Sequence, residues 1–195
     1  MSHSLVLFAH VVGVLLLFVG LAVEWISVDA VTRSATRAEA LTWVRTSAAV
    51  PRITGIAMIA ILASGFYLGA RFGVLGEVWM RVSYAAILVM AVVGGPVAGP
   101  ALRALRRAGE RSDEGAVDAL RAAAASTRLR LSLRVRIVFG LAVVYLMVGK
   151  PDAGQSLFVL GVAVAAAIAV GAWKPGATSR MGAEVAARRG LARLD

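Results

Sequence analysis

Five long apolar runs dominate the chain, and its polar residues collect between them. The runs are Leu5–Val23, Ile53–Ala70, Val82 to about Leu102, Ile137–Val148 with its flanks, and Leu157–Trp173. A helix needs roughly 20 apolar residues to cross a bilayer. Inside lipid every backbone amide and carbonyl must be bonded within the protein, so only helices or a closed barrel qualify. The runs are solidly apolar and show no period-two alternation, which selects helices. The pattern predicts an all-α polytopic membrane helix bundle with five transmembrane helices, over about 4–25, 51–71, 79–103, 132–149 and 155–173. The fourth run is the shortest.

The polar segments orient the bundle. Nineteen of the 21 basic residues are arginine, and they nearly avoid every second gap. With the N-terminus outside, eighteen Lys and Arg fall on the inner segments and three (Arg71, Arg81, Lys150) on the outer ones. Cytoplasmic loops carry the excess of basic residues, so the expected orientation is N-terminus outside and C-terminus cytoplasmic. Trp25 and Trp173 fall at the inner boundary and Trp79 at the outer one, where tryptophan is enriched. Residues 1–174 read as one transmembrane bundle domain and 175–195 as a basic cytoplasmic tail, with an Arg-rich helix from Met181 to Leu194.

Two inner segments have their own pattern. Ser34 is placed to cap a short helix running to Val44, lying on the membrane surface. Residues 104–131 read as a cytoplasmic helical hairpin: the third helix continues outward, Gly109–Gly115 turns, and Ala116–Ala125 returns. Thr127–Leu131 alternates like a strand, but a lone strand entering lipid would leave its backbone unbonded, so a helix is expected.

Charge then narrows the partners. The net charge of +10 in a soluble domain would suggest nucleic acid. Here the arginines flank membrane spans, so anionic lipid headgroups are the expected partner and nucleic acid is not. The chain has no cysteine, which excludes disulfides, thiolate metal sites and cysteine nucleophiles. The first run lacks a basic leader and a small-residue cleavage site, so it reads as a retained span and not a signal peptide. The preference for arginine over lysine fits a GC-rich bacterial genome and hence a multi-pass protein of the bacterial inner membrane.

Candidate chemistry is sparse. His10 is the one histidine within a span, roughly 9 Å along the helix from Ser4 at 1.5 Å per residue. Ionisable groups at such depth face the bundle interior and often mark function. Tyr67, Tyr84 and Tyr145 fall at a similar depth near the outer ends of their helices, with Met147 close by. Converging, these five would hold a porphyrin edge or a quinone head; facing outward, the tyrosines form an aromatic belt. Glu24, at the inner end of the first run, is expected to pair with a loop arginine such as Arg52. Gly94 to Pro100 interrupts the third run. Gly95, Pro96, Gly99 and Pro100 predict a kink, serving as a packing site, a hinge or a pocket wall. Gly65 and Gly69, and the stripe Gly161, Ala165 and Ala169, are small residues read as packing faces, within the protomer or in a homodimer.

Two segments carry a family resemblance. The run Leu5–Leu21, with one early histidine at His10 and glycines at 13 and 20, resembles the first helix of a set of bacterial membrane proteins. Val144-Tyr145-Leu146-Met147-Val148-Gly149-Lys150-Pro151 resembles a W-L-M-V-x-K-P ending of a later helix, and Pro96 fits a proline in the third helix. Together they look like the predicted integral-membrane proteins of a domain-of-unknown-function family, the one numbered twenty-two sixty-nine. The first helix is also similar to that of the copper-resistance D and HemJ-type membrane proteins. That second resemblance implies a haem or metal role for His10 alone.

The functional expectation is an integral inner-membrane protein acting as a non-catalytic subunit or assembly partner, because the Arg-rich hairpin is the largest feature outside lipid. A haem b- or quinone-binding redox protein built on His10 is the first alternative. A small transporter or channel using the Gly-Pro break is the second. Homo-oligomers or a membrane-protein partner fit the small-residue faces.

Overall fold

A computed structural model of the chain describes residues 3–110 and 115–172, with side chains described through residue 169. The expected tail helix, Trp173 and part of the 109–115 turn lie outside the described residues. All regular structure among the described residues is helical: α1 (His3–Arg33), α2 (Arg37–Arg71), α3 (Val78–Val92), a π-turn (Val93–Val97), α4 (Ala98–Glu110), α5 (Ala116–Ala124), α6 (Thr127–Gly149) and α7 (Ala153–Ala172). Four helical stretches, 3–33, 37–71, 78–110 and 116–149, are long and apolar enough to cross a membrane. The shorter α7 is apolar too and packs on α3 and α6. The fourth apolar run is thus extended by its flanks into a long helical stretch, 116–149, and among the described residues the fifth run gives the shortest stretch of the five.

The helices overshoot the bilayer. At 1.5 Å per residue α1 is about 46 Å long and α2 about 52 Å, against a hydrocarbon core of about 30 Å. The expected surface helix at Ser34–Val44 does not form as a separate element. Its residues from 37 on belong to α2, which runs on through Pro51 into the second span. The N-cap is Thr36, not Ser34: the Glu39 amide donates to Thr36 Oγ1 at 3.3 Å, and the Glu39 carboxylate accepts from the Ala35 amide at 3.0 Å. This exchange satisfies amides that a helix start leaves unbonded. Ser34 is buried instead. Its hydroxyl donates to the Ala30 carbonyl at 2.9 Å, and its own carbonyl accepts from Arg121 Nε at 3.1 Å and Nη2 at 2.6 Å.

The hairpin of α4 and α5 folds onto these overshooting ends. Val28, Val31, Ala40, Val44, Leu105 and Leu120 are buried together there, joined by Ala98, Leu102, Ala124, Leu129 and Leu133. The basic end of the molecule is thus a packed helical head with an apolar core. Arg37 Nη2 ties α2 to the Gly109 carbonyl at 3.2 Å, and Arg106 Nη2 ties α4 to the Ala48 carbonyl at 3.2 Å. Residues 127–131 are helical, the first turn of α6.

Two further cores lie along the spans. Leu17, Leu21, Ala57, Ile61, Ile87 and Met90 meet near the middle. Trp79, Met80, Val82 and Leu146 meet near the far end. Trp79 at the start of α3 is 7% exposed and packs its ring into the bundle, whereas Trp25 is 42% exposed. α1 and α2 approach most closely at glycines. A Cβ on Gly20 would lie 2.5 Å from Thr54 Cγ2, and one on Gly13 would lie 3.0 Å from Ile61 Cγ1. Gly69 is equally crowded, 2.6 Å from Met80 Cε, as its small-residue pattern leads one to expect. Gly161, Ala165 and Ala169 are exposed, and no atom lies within 4 Å of a Cβ built on Gly161. Among the described residues that stripe does not pack within the protomer; Ala163 on the neighbouring face does.

Candidate functional site

α1 presents two ionisable groups to the bundle interior, His10 and Glu24, fourteen residues and about four turns apart. They define two sites.

At the first, His10 Nδ1 lies 3.0 Å from Ser64 Oγ on α2. The Ser64 hydroxyl donates to the Ala60 carbonyl one turn back. A hydroxyl has one proton, so Ser64 Oγ accepts from a protonated Nδ1 and the lone pair of the neutral ring falls on Nε2. Gly65 makes room for the ring: a Cβ there would be 3.3 Å from His10 Cε1 and 3.8 Å from the Tyr84 hydroxyl. That hydroxyl is buried and has no hydrogen-bond partner among the described residues. A cavity of about 300 Å³ lies alongside, lined by His10, Leu17, Phe18, Ile87, Met147 and further apolar side chains. Small-molecule sites span roughly 300–1,000 Å³, so this one suits a single ring better than an enclosed macrocycle.

Of the five expected site residues, the structure brings together three. His10 and Met147 border the same cavity, and Tyr84 reaches Gly65 from α3. Tyr67 and Tyr145 do not join them. They are 43% and 55% exposed on the outer surface of the bundle, the position of a membrane-interface belt. Their helices are rotated so that Gly65 and Gly69 of α2, and Leu146 of α6, face inward instead.

At the second site, Glu24 Oε1 accepts from Arg136 Nη2 at 2.7 Å, with side-chain exposures of 2% and 8%. The partner is therefore Arg136 on α6, and not Arg52, which is exposed on α2. Glu24 is enclosed by protein, not placed among headgroups. Arg136 Nε also donates to the Ser132 carbonyl at 3.3 Å. The interrupted third run completes this site. Pro96 lacks an amide proton, and the chain answers with a π-turn: the Ala98 amide reaches the Val93 carbonyl five residues back. Ser132 Oγ donates to that same carbonyl at 3.0 Å. Gly94 clears the path of the arginine, since a Cβ there would lie 3.2 Å from Arg136 Cδ. At the expected kink the backbone stays helical and forms one widened turn, a place where helices bend. Packing is close at Gly94, whereas Gly95 has open space and Gly99 touches only Arg103 of its own helix. Gly94 and Gly95 form the wall of a cavity of about 250 Å³, together with Thr54, Met58, Glu24 and Arg136.

The sequence offered a signal for this pair that residue-by-residue reading missed. Arg136 directly precedes an apolar run, as Glu24 directly follows one, so both fall at one level of the bundle. Among the described residues no three His, Asp or Glu side chains gather as a metal centre. His10 and Met147, which line the same cavity, are the residues that would face a ring or a metal-bearing ring.

No curated protein and no solved structure matches the chain. One family does, described as "Predicted integral membrane protein (DUF2269)", over residues 4–151. That match takes in α1 through α6, both polar sites and the loop after α6, and leaves α7 outside. The chain belongs to this family of integral membrane proteins.

Proposed function

We propose that the chain is a non-catalytic membrane subunit or assembly partner of the bacterial inner membrane, with its basic head and C-terminus in the cytoplasm. The observation that carries this reading is the packed head. Val31, Ala40, Leu105, Leu120 and Ala124 are buried there, so the arginines outside them are held on rigid helices and not on a loose loop. Arg33, Arg45, Arg103, Arg106 and Arg107 are exposed. A fixed basic surface steers and orients an acidic protein partner. The concentration of basic residues at this end supports the sidedness.

The test is cross-linking in the native membrane, followed by co-purification, with wild-type chain and with a variant lacking Gly109–Ala125. An acidic partner retained by the first and lost by the second is the expected result. Equal recovery by both, or no partner with either, refutes the reading.

His10 supports a second reading, a redox or ring-binding role, because His10 and Met147 line one apolar cavity and the unpartnered Tyr84 hydroxyl lies beside Gly65 next to the His10 ring. The absorption spectrum and extractable quinone content of purified protein, beside those of His10→Ala, decide it. A band or quinone lost in the variant supports it. A colourless, quinone-free wild type removes it.

A further inference from the structure

On the face of the molecule where α1 meets the start of α6, a cleft of about 210 Å³ opens at the boundary between apolar and basic sequence. α1 supplies Trp25, Asp29 and Thr32, which recur at helical spacing and share one face. α6 supplies Arg130 and Arg134, one turn apart. Val28 and Leu133, both buried, form the apolar floor. The level of the cleft follows from the sequence. Trp25 lies two residues beyond the first apolar run, and Arg134 three residues before the fourth. Both helices therefore pass from hydrocarbon to water here, the depth at which a lipid phosphate sits.

We propose that this cleft binds the phosphate headgroup of an anionic phospholipid, with Arg130 and Arg134 as its cationic clamp and Trp25 beside the glycerol. Guanidinium groups match phosphate oxygens in geometry and charge. Tryptophan belongs at the headgroup level, where one side is apolar and the other wet. The one carboxylate in the cleft, Asp29, is engaged by Arg33 at 2.9 Å, so its charge is offset. The Thr32 hydroxyl donates to the Asp29 carbonyl at 2.6 Å, which leaves its oxygen as an acceptor and assigns the anion to the arginines. The nearest buried charges, Glu24 and Arg136, neutralise each other. The proposal stands whether or not the basic head docks a protein.

The experiment is native mass spectrometry of the full chain, delipidated and then titrated with phosphatidylglycerol, with phosphatidylcholine, or with inorganic phosphate. It is run on wild type, on Arg130→Gln/Arg134→Gln, and on Arg71→Gln/Arg81→Gln, which removes the same charge at the other end of the bundle. Wild type and the second variant are expected to retain phosphatidylglycerol, and the cleft variant to bind it roughly tenfold more weakly or worse. Equal loss in both variants, equal retention of phosphatidylcholine, or saturation by phosphate alone overturns the proposal. A second measurement covers a cleft variant that does not fold. Brominated phosphatidylglycerol, but not brominated phosphatidylcholine, should quench the fluorescence that disappears in Trp25→Phe; equal quenching by the two lipids overturns the proposal.

Discussion

Replacing Arg136 by methionine removes the cation that neutralises Glu24 and leaves its carboxylate in a site where it is 2% exposed. The length and apolar character of the stem are kept, so the loss is mainly electrostatic. A carboxylate enclosed by protein in this way is shielded from water, and breaking a buried pair by removing one partner costs about 3–5 kcal/mol. The Ser132 carbonyl also loses its contact with Arg136 Nε, worth about 1 kcal/mol. The measurement is reversible unfolding in mixed micelles, monitored by far-UV circular dichroism. Glu24→Leu/Arg136→Met tests the cause. If desolvated charge is responsible, the double variant returns to within about 1–2 kcal/mol of wild type, because an apolar pair of similar volume needs no neutralisation. Two results refute the reasoning: a single variant as stable as wild type, or a double variant as unstable as the single. The first would mean that the pair is solvated, the second that packing of the long side chain matters more than its charge.

Gly20→Ala is expected to destabilise by about 1–3 kcal/mol, because its Cβ would stand 2.5 Å from Thr54 Cγ2 on the closely packed α1–α2 pair. Gly55→Ala, with no atom within 4 Å, should be neutral or slightly stabilising in the same unfolding assay. Ser132→Ala removes the hydroxyl that donates to Val93 at the π-turn and should cost about 1 kcal/mol; hydrogen exchange of residues 93–98 should rise with it. Leu120→Ala, in the core of the basic head, should cost about 2–5 kcal/mol and increase proteolysis between α4 and α5, whereas unchanged proteolysis would mean that the head has no core of its own.

The parts of the site that could be read from sequence share one property: they depend on position along the chain. His10, Tyr84 and Met147 were found because their depth follows from counting residues along helices. Tyr67 and Tyr145 were grouped with them on the same count, yet depth says nothing of rotation, and these two turn outward. Glu24 and Arg136 are 112 residues apart. Their pairing depends on α1 and α6 being neighbours, which no local pattern states. Gly20 reads as one of several glycines in an apolar run until α2 is brought against it. Ser34 and Thr36 are both acceptable caps by composition; Thr36 wins because Glu39 sits three residues beyond it and because the head buries Ser34.

By itself the sequence determined that this is an all-helical membrane protein, where its apolar helices run, and which end is basic. These are sums of transfer free energies and charges over successive residues, and they need no knowledge of neighbours. The tertiary structure alone decided that α1, α2, α4 and α5 build a packed head, that a π-turn absorbs the proline, that Glu24 meets Arg136, and that His10 faces Ser64 and an apolar cavity. Those outcomes rest on helix rotation and on which helices touch. Within lipid a uniformly apolar run leaves rotation undetermined by hydrophobicity, because every face is equally soluble, and close packing and the few buried polar contacts select it.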